Sequence, residues 1–473
     1  MGSALQWQSA GGCLQGAQQD ETTMMCRGWL GCAALILVGA GCSRPPAPQV
    51  PVEEVSVDAS GVEVAEAPQL VGEEDWPGWR GPQGNGVVAA PASVTQWSQS
   101  ENVLWSADVP GRGHSSPVIV GDRVYLATAD DGAQQQFVLA FDRSDGSEVW
   151  RTQVNEGGFP GSSQLHRKGT NANSTVACDG EQIYIAFLNH DKITASALDL
   201  DGEIVWRKEL GAFNSKFGYA PSPVLYKSLV IFAADNQGGG YLAALDRATG
   251  EIAWRKARPA VSTYSSPAIA NIAGRDQLLI SGCDRVVGFD PATGEELWGV
   301  KGTTEATCGT MVWHGDSVFA SGGHPGRQTL CVKADGSGEI IWSNSVRAYE
   351  PSLVVAGENV FAVTDDGIAY CWSAATGDEL WKARLGGNVS ASPVVCGDLI
   401  YATNDQGTTC VFRATGEGYG EVGRNQLGDD MFASAAVSRG QLFFRVGEQA
   451  GGGRREKLYC IGTPAGGAIS QTD

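Results

Sequence analysis

Seven tryptophans, Trp105, Trp150, Trp206, Trp254, Trp298, Trp342 and Trp381, recur at intervals of 45, 56, 48, 44, 44 and 39 residues. An eighth unit, with Val422 in the Trp position, follows 41 residues later. Fuller copies read ALDRATGEIAW (244–254) and GFDPATGEELW (288–298). Ahead of most tryptophans stands a turn pair: Asp145-Gly146, Asp201-Gly202, Thr249-Gly250, Thr293-Gly294, Thr376-Gly377 or Thr415-Gly416. Such pairs supply the glycine of a tight strand-to-strand turn. A period of 40 to 50 residues built from short strands predicts propeller blades.

The remainder of each unit repeats too. Eight hairpins alternate apolar residues around a Gly or polar turn, from SSPVIVGDRVYLAT (115–128) to SAAVSRGQLFFRV (434–446). A third short strand follows each, such as FVLAFD (137–142) or KLYCIG (457–462). With the Trp strand this makes four per unit, named a to d from the hairpin onward. The first such element, NVLWSADV (102–109), is a d strand with no hairpin before it, and the last unit stops after its c strand. Joining the two closes the ring and hides both sheet edges. The expected fold is all-β: an eight-bladed propeller closed by the N-terminal d strand. The 64 glycines fit a turn-rich chain and argue against a helical one.

Aligned on the repeat, Cys331, Cys371, Cys410 and Cys460 share one c-strand slot with Ala140, Ala197, Ala244 and Gly288. A slot holding only Ala, Gly or Cys reads as a cramped core site. No CxxC spacing occurs, so no metal site is assigned, and a Cys283–Cys308 disulfide stays open. The Trp series reads as packing between neighbouring sheets.

Residues 30–38 (LGCAALILV) are too short to span a bilayer and suit a signal-peptide core. Gly39-Ala40-Gly41-Cys42 follows, which resembles the lipobox of bacterial lipoproteins, with Cys42 as the acylated residue. Ordinary signal-peptidase cleavage is the alternative. Residues 1–24 carry Asp20 and Glu21 and no Lys or Arg, and read as extraneous; 25–41 form the leader. Residues 42–75, with five prolines and eight acids, read as an extended tether. The propeller follows over 76–462, and 463–473 form a tail.

Units ending in A-x-D-x-x-T-G-x-x-x-W resemble the pyrroloquinoline-quinone (PQQ) repeat. That family includes quinoprotein dehydrogenases and the assembly lipoprotein BamB, both eight-bladed. Trp76-Pro-Gly-Trp79-Arg80-Gly81-Pro82 resembles the lead-in of a secreted, BamB-like branch. In the dehydrogenases the resemblance implies PQQ, a Ca²⁺ held by Glu, Asn and Asp, a catalytic Asp and commonly an adjacent Cys-Cys pair. No Cys-Cys pair occurs here and no calcium set matches residue by residue, so neither cofactor and no catalytic residue is assigned.

The d-to-a and b-to-c loops of a four-stranded blade emerge together around the channel mouth. On that face fall Arg112, His114, Asp131, His166, Lys168, Asn171, His190, Tyr219, Tyr264, His324, Tyr349 and Asp430. They are the candidate ligand or partner face, with Arg112, His114, His166 and Lys168 clustered in two consecutive blades. The solvated-rim alternative holds for any polar loop. With 33 basic against 53 acidic residues, nucleic acid is a poor partner. The leading expectation is a monomeric, lipid-anchored, non-catalytic scaffold that binds an envelope protein or peptide and meets the membrane through its anchor alone. A PQQ/Ca-dependent periplasmic oxidoreductase and a sugar- or polymer-binding propeller are the alternatives.

Overall fold

The structure, a computed structural model, describes residues 51–463 apart from 68, 69, 93 and 452. Cys42, the leader before it and the tail beyond 463 lie outside the described residues. Eight sheets are arranged as a β-propeller; six take their four strands from one repeat in sequence order, and two each include a strand from the N-terminal stretch. Blade 1, for instance, comprises Val118–Val120, Arg123–Asp130, Gln135–Asp142 and Glu148–Glu156. The ring closes as expected: Val103–Val109 pairs antiparallel with Gly453–Ile461 as the d strand of blade 8.

The Trp–Gly repeat acts between blades. The indole of Trp206 donates to the Arg247 carbonyl at 2.7 Å in the c–d turn of the next blade. Trp105, Trp150, Trp254, Trp342 and Trp381 reach Arg143, Leu200, Pro291, Ala374 and Thr415 in the same way. Gly250 sits under Trp206 with φ +73°, and a Cβ there would meet the indole at 2.6 Å. The T-G pair of one blade is thus the seat for the previous blade's tryptophan. Trp298 departs from this. Its indole lies against Gly288, where a Cβ would stand 2.5 Å from Nε1, and donates to Gln277 at 2.6 Å. Gln277 in turn donates to the Ala334 carbonyl of blade 5 at 2.7 Å, relaying the same link.

The small c-strand slot stands opposite the Trp in the ladder: Ala140 faces Trp150, Cys331 faces Trp342 and Cys371 faces Trp381. Cys410 does not belong to it. Val411 is in register with Gly423, so blade 7 places Val411 in the slot and Gly423, rather than Val422, in the Trp position. Without an indole opposite, the slot need not be small. Trp97 packs there instead, against Tyr401 and Phe444, and the Asn425 amide donates to the Thr95 carbonyl at 3.0 Å. The eight described cysteines are all free, Cys283 and Cys308 included.

Residues 51–75 also depart from expectation, because they lie along the propeller. Val55 pairs with Arg255 on the outer strand of blade 3, Ser228 and Ala65 are joined at 2.9 Å, and Asp75 accepts from Gly121 in blade 1. Prolines and acids predicted self-repulsion. The valines between them, Val52, Val57, Val62 and Val64, supply apolar contacts to the blade cores, and Lys227 and Arg255 meet Glu66 and Glu53.

Candidate functional site

After Asp75 the chain enters the central channel from the face opposite the mouth loops. Trp76 pairs with Ile119 of blade 1, and the Pro77 carbonyl accepts from Cys178 of blade 2. Arg80 is buried and donates to the carbonyls of Leu353 in blade 6 at 2.7 Å and Pro393 in blade 7 at 2.8 Å. Burial lowers its guanidinium pKa to about 9. Val87–Val88 then adds a fifth, parallel strand to the inner edge of blade 7. The expected lead-in is therefore a plug that ties blades across the axis.

Around the plug runs a girdle of one hydroxyl per blade: Ser116, Thr175, Ser222, Ser266, Thr310, Ser352, Ser392 and Ser434. Each accepts the N–H of its counterpart in the preceding blade at 2.8–3.0 Å, for seven of the eight steps. At the remaining position Thr310 Oγ1 accepts from Trp79 Nε1 at 2.8 Å. The indole of Trp79 takes the girdle's free acceptor and becomes the floor of the mouth. This girdle was legible as a Ser or Thr at one register of every hairpin.

Above the floor opens a cup of about 240 Å³ lined by His114, His166, Lys168, Phe217, Tyr264, Cys308, Tyr349, Glu350 and Phe432. The eight d-to-a loops surround the axis, so residues far apart in sequence converge. Lys168 Nζ lies 3.0 Å from Glu350, 3.2 Å from Asp405 and 2.9 Å from the Ser390 hydroxyl. Burial opposes its charge, but the two carboxylates outweigh burial and raise its pKa. His114 stacks on Phe432 with centroids 4.6 Å apart. Burial, reinforced by Arg445, Arg112, Arg454 and Lys168, holds its imidazole well below the ordinary value. Burial likewise raises Cys308, Tyr264 and Tyr349, so the thiol and both phenols stay protonated at neutral pH.

A histidine neutral when folded and protonated when unfolded destabilises the fold as pH falls below about 6.5. Wild type should therefore lose about 1 kcal/mol more stability than His114→Gln between pH 6.5 and pH 5.5. Paired denaturant titrations at the two pH values read this difference, and parallel losses would show His114 charging freely in the fold.

Of the residues expected on the mouth face, the cup gathers His114, His166, Lys168, Tyr264 and Tyr349. Arg112, Asp131, Asn171, His190, His324 and Asp430 lie outside it. Asn171 donates to Asp131 at 2.9 Å and Arg454 to Asp430 at 2.5 Å, both rim contacts. Tyr219 is a correction: it is 5% exposed and donates to the Ala233 carbonyl at 3.1 Å. Its ring turns into the core against Phe213, so it offers a partner nothing. Trp79, Phe217 and Phe432 carry no polar group that marks a rim residue in sequence, although Phe217 and Phe432 stand in the same loops.

A quinone and its calcium need free carboxylates for the metal and free cations for the quinone's own carboxylates. The cup's one carboxylate, Glu350, is engaged by Lys168, and its one ammonium is engaged by Glu350 and Asp405. Among the described residues no group of three or more His, Cys, Asp or Glu could hold a metal ion. The residues present do not fit that pair.

Eight four-stranded blades, sealed by Trp–Gly seats and a hydroxyl girdle, define a β-propeller of the PQQ-like repeat class. A family model described as "Outer membrane protein assembly factor BamB" matches residues 55–165, 134–383 and 326–419. The chain belongs to this family. It is 25% identical over 316 residues to outer membrane protein assembly factor BamB of Burkholderia pseudomallei, covering 62% of this chain and 72% of that protein. It is 22% identical over 345 residues to tetrathionate hydrolase of Acidithiobacillus ferrooxidans, covering 65% of this chain and 66% of the hydrolase. The crystal structure of BamB from Moraxella catarrhalis superposes with a TM-score of 0.55 at 16% identity, covering 77% of this chain and 98% of that one. A europium-containing methanol dehydrogenase gives 0.61 at 11% identity, covering 83% and 98%. At these identities the two structures speak for the fold alone.

Proposed function

We propose that this propeller is an exported, lipid-anchored and non-catalytic scaffold of the cell envelope, whose mouth cup receives a segment of a protein partner. The observation that carries the reading is the chemistry of the cup. Its walls are aromatic, its one cation is neutralised by two carboxylates, and its thiol and phenols are held neutral. A concave site of that kind suits recognition through Phe and Tyr anchors rather than acid–base or redox work. The envelope setting rests on the leader ahead of Cys42 and on relatives named as outer membrane assembly factors.

A photo-crosslinking residue placed at Phe217 should capture an envelope protein, and Phe432→Ala or Tyr349→Ala should weaken that capture about tenfold or more. The same probe at the outward-facing Val205 should capture none of it; equal capture at both positions would sink the reading. Incubation with PQQ and Ca²⁺ gives the opposing test, since tight quinone binding with dye-linked alcohol oxidation would establish the oxidoreductase alternative. Cys42→Ser should move the protein from the membrane to the soluble fraction, and unchanged membrane association would exclude acylation there.

A further inference from the structure

The acidic segment that leads from Cys42 to the plug shortens the reach of the anchor. Pro51 and Val52 lie in a groove between blades 2 and 3, beside Gln164 and Asn214 of the mouth loops. From there the chain descends the outer strand of blade 3. Val55 and Arg255 exchange both backbone hydrogen bonds, at 3.0 and 2.9 Å, and Ala257 N donates to Glu54 at 2.9 Å. It reaches the opposite face at Ser228 and turns into the channel. Chain between Cys42 and Pro51 spans roughly 30 Å at most, against roughly 110 Å had the whole stretch to Trp76 run free. Pro51, the first described residue, lies on the mouth side.

Two mouth loops beside Pro51 combine absence of acid with exposed cations and an exposed aromatic ring. Loops 157–176 and 213–223 contain no Asp or Glu on a chain of net charge −20. They present Arg167 and Lys216 to solvent, with Phe217 at 41% exposure. Lys216 Nζ sits 5.4 Å over the Phe217 ring, and His166 meets that ring edge-on at 5.4 Å. Asp191 and Glu53 line the adjoining groove, and Glu350, which shares the cup with Phe217, is engaged by Lys168. Cations flanking an exposed aromatic ring match the headgroup zone of an anionic bilayer, where the ring enters the acyl boundary and the cations meet phosphate.

We infer that the blade 2–3 rim is a membrane-contact surface for anionic phospholipid, and that the docked segment 51–66 delivers the anchor beside it, turning the mouth toward the bilayer. The orientation rests on acylation at Cys42; the lipid contact does not. It also narrows the partner of the proposed function to a protein segment lying close to the membrane.

The full chain carrying Cys42→Ser, which has no acyl group, tests the rim alone. It should sediment with vesicles of one-third phosphatidylglycerol in phosphatidylcholine and not with phosphatidylcholine alone, and release in high salt. Arg167→Glu with Lys216→Glu, and separately Phe217→Ser, should each weaken that binding about tenfold or more, whereas Lys382→Glu on an outer strand should not. Absence of binding, or equal loss in the Lys382 variant, overturns the surface. For orientation, a dye at position 217 of the acylated protein should be quenched by brominated lipid, and a dye at the exposed Thr249 on the opposite face should not. Equal quenching overturns the orientation. A mass showing no acyl group removes the anchor reading while the vesicle result still judges the rim.

Discussion

Replacing Glu456 with alanine should destabilise the propeller by about 3–5 kcal/mol, the range for removing one partner of a buried ionic network. Glu456 lies on the c strand of blade 8, with its side chain 1% exposed. It accepts from Arg445 Nε at 2.6 Å, Arg454 Nη1 at 2.6 Å and the Gly113 amide at 3.1 Å. Arg445 also donates across the closing seam to the Ala127 carbonyl of blade 1 at 2.6 Å. Alanine would leave two guanidinium groups facing one another at that seam, with Arg445 fully desolvated. Glu456→Gln keeps the size and one acceptor and should recover part of the loss. Guanidinium titration of the three proteins reads the order, and a loss under about 1 kcal/mol for alanine would mean that water reaches the seam and screens the charges.

Gly250→Ala should cost about 2–5 kcal/mol. A left-handed backbone costs a non-glycine residue about 1–2 kcal/mol, and overpacking about 1–3 kcal/mol. Both act here, because φ is +73° and the new Cβ would stand 2.6 Å from the Trp206 indole. Gly336 separates the two effects. It lies in the c–d turn of blade 5, two residues ahead of the seat-equivalent Gly338, with φ +103° and no atom within 4 Å of a built Cβ. Gly336→Ala should therefore cost only the backbone part. Equal losses in the two variants, measured by denaturant midpoint, would refute the idea that the turn glycine is a seat for the neighbouring blade's tryptophan.

Why the blade count was readable and the cup was not comes down to range. Blade boundaries are written in local signals that recur at a fixed register: alternating hairpins, a turn glycine, a tryptophan. Each copy checks the others. Where a local signal lapses, as at Cys410 and Val422, the repeat no longer fixes the register, and only the ladder with Gly423 sets it. The cup has no such redundancy. Each of its loops is unique, and whether a side chain turns toward the axis or into the core depends on what the neighbouring loop leaves vacant. Tyr219 and Tyr264 look alike in sequence, yet one is packed against Phe213 and the other faces the mouth.

The repeat alone determined eight blades, their strand order and the closure by Val103–Val109, because backbone pairing and period-two burial are local properties. Tertiary structure alone decided that Trp76–Val88 is a plug, that Trp79 takes the unpaired hydroxyl of the girdle, and that residues 51–75 lie along the body. Those choices depend on acceptors and apolar seats contributed by blades hundreds of residues away, such as the Leu353 and Pro393 carbonyls that hold Arg80. A chain's own residues state which groups must be satisfied; only the closed ring supplies the partners that satisfy them.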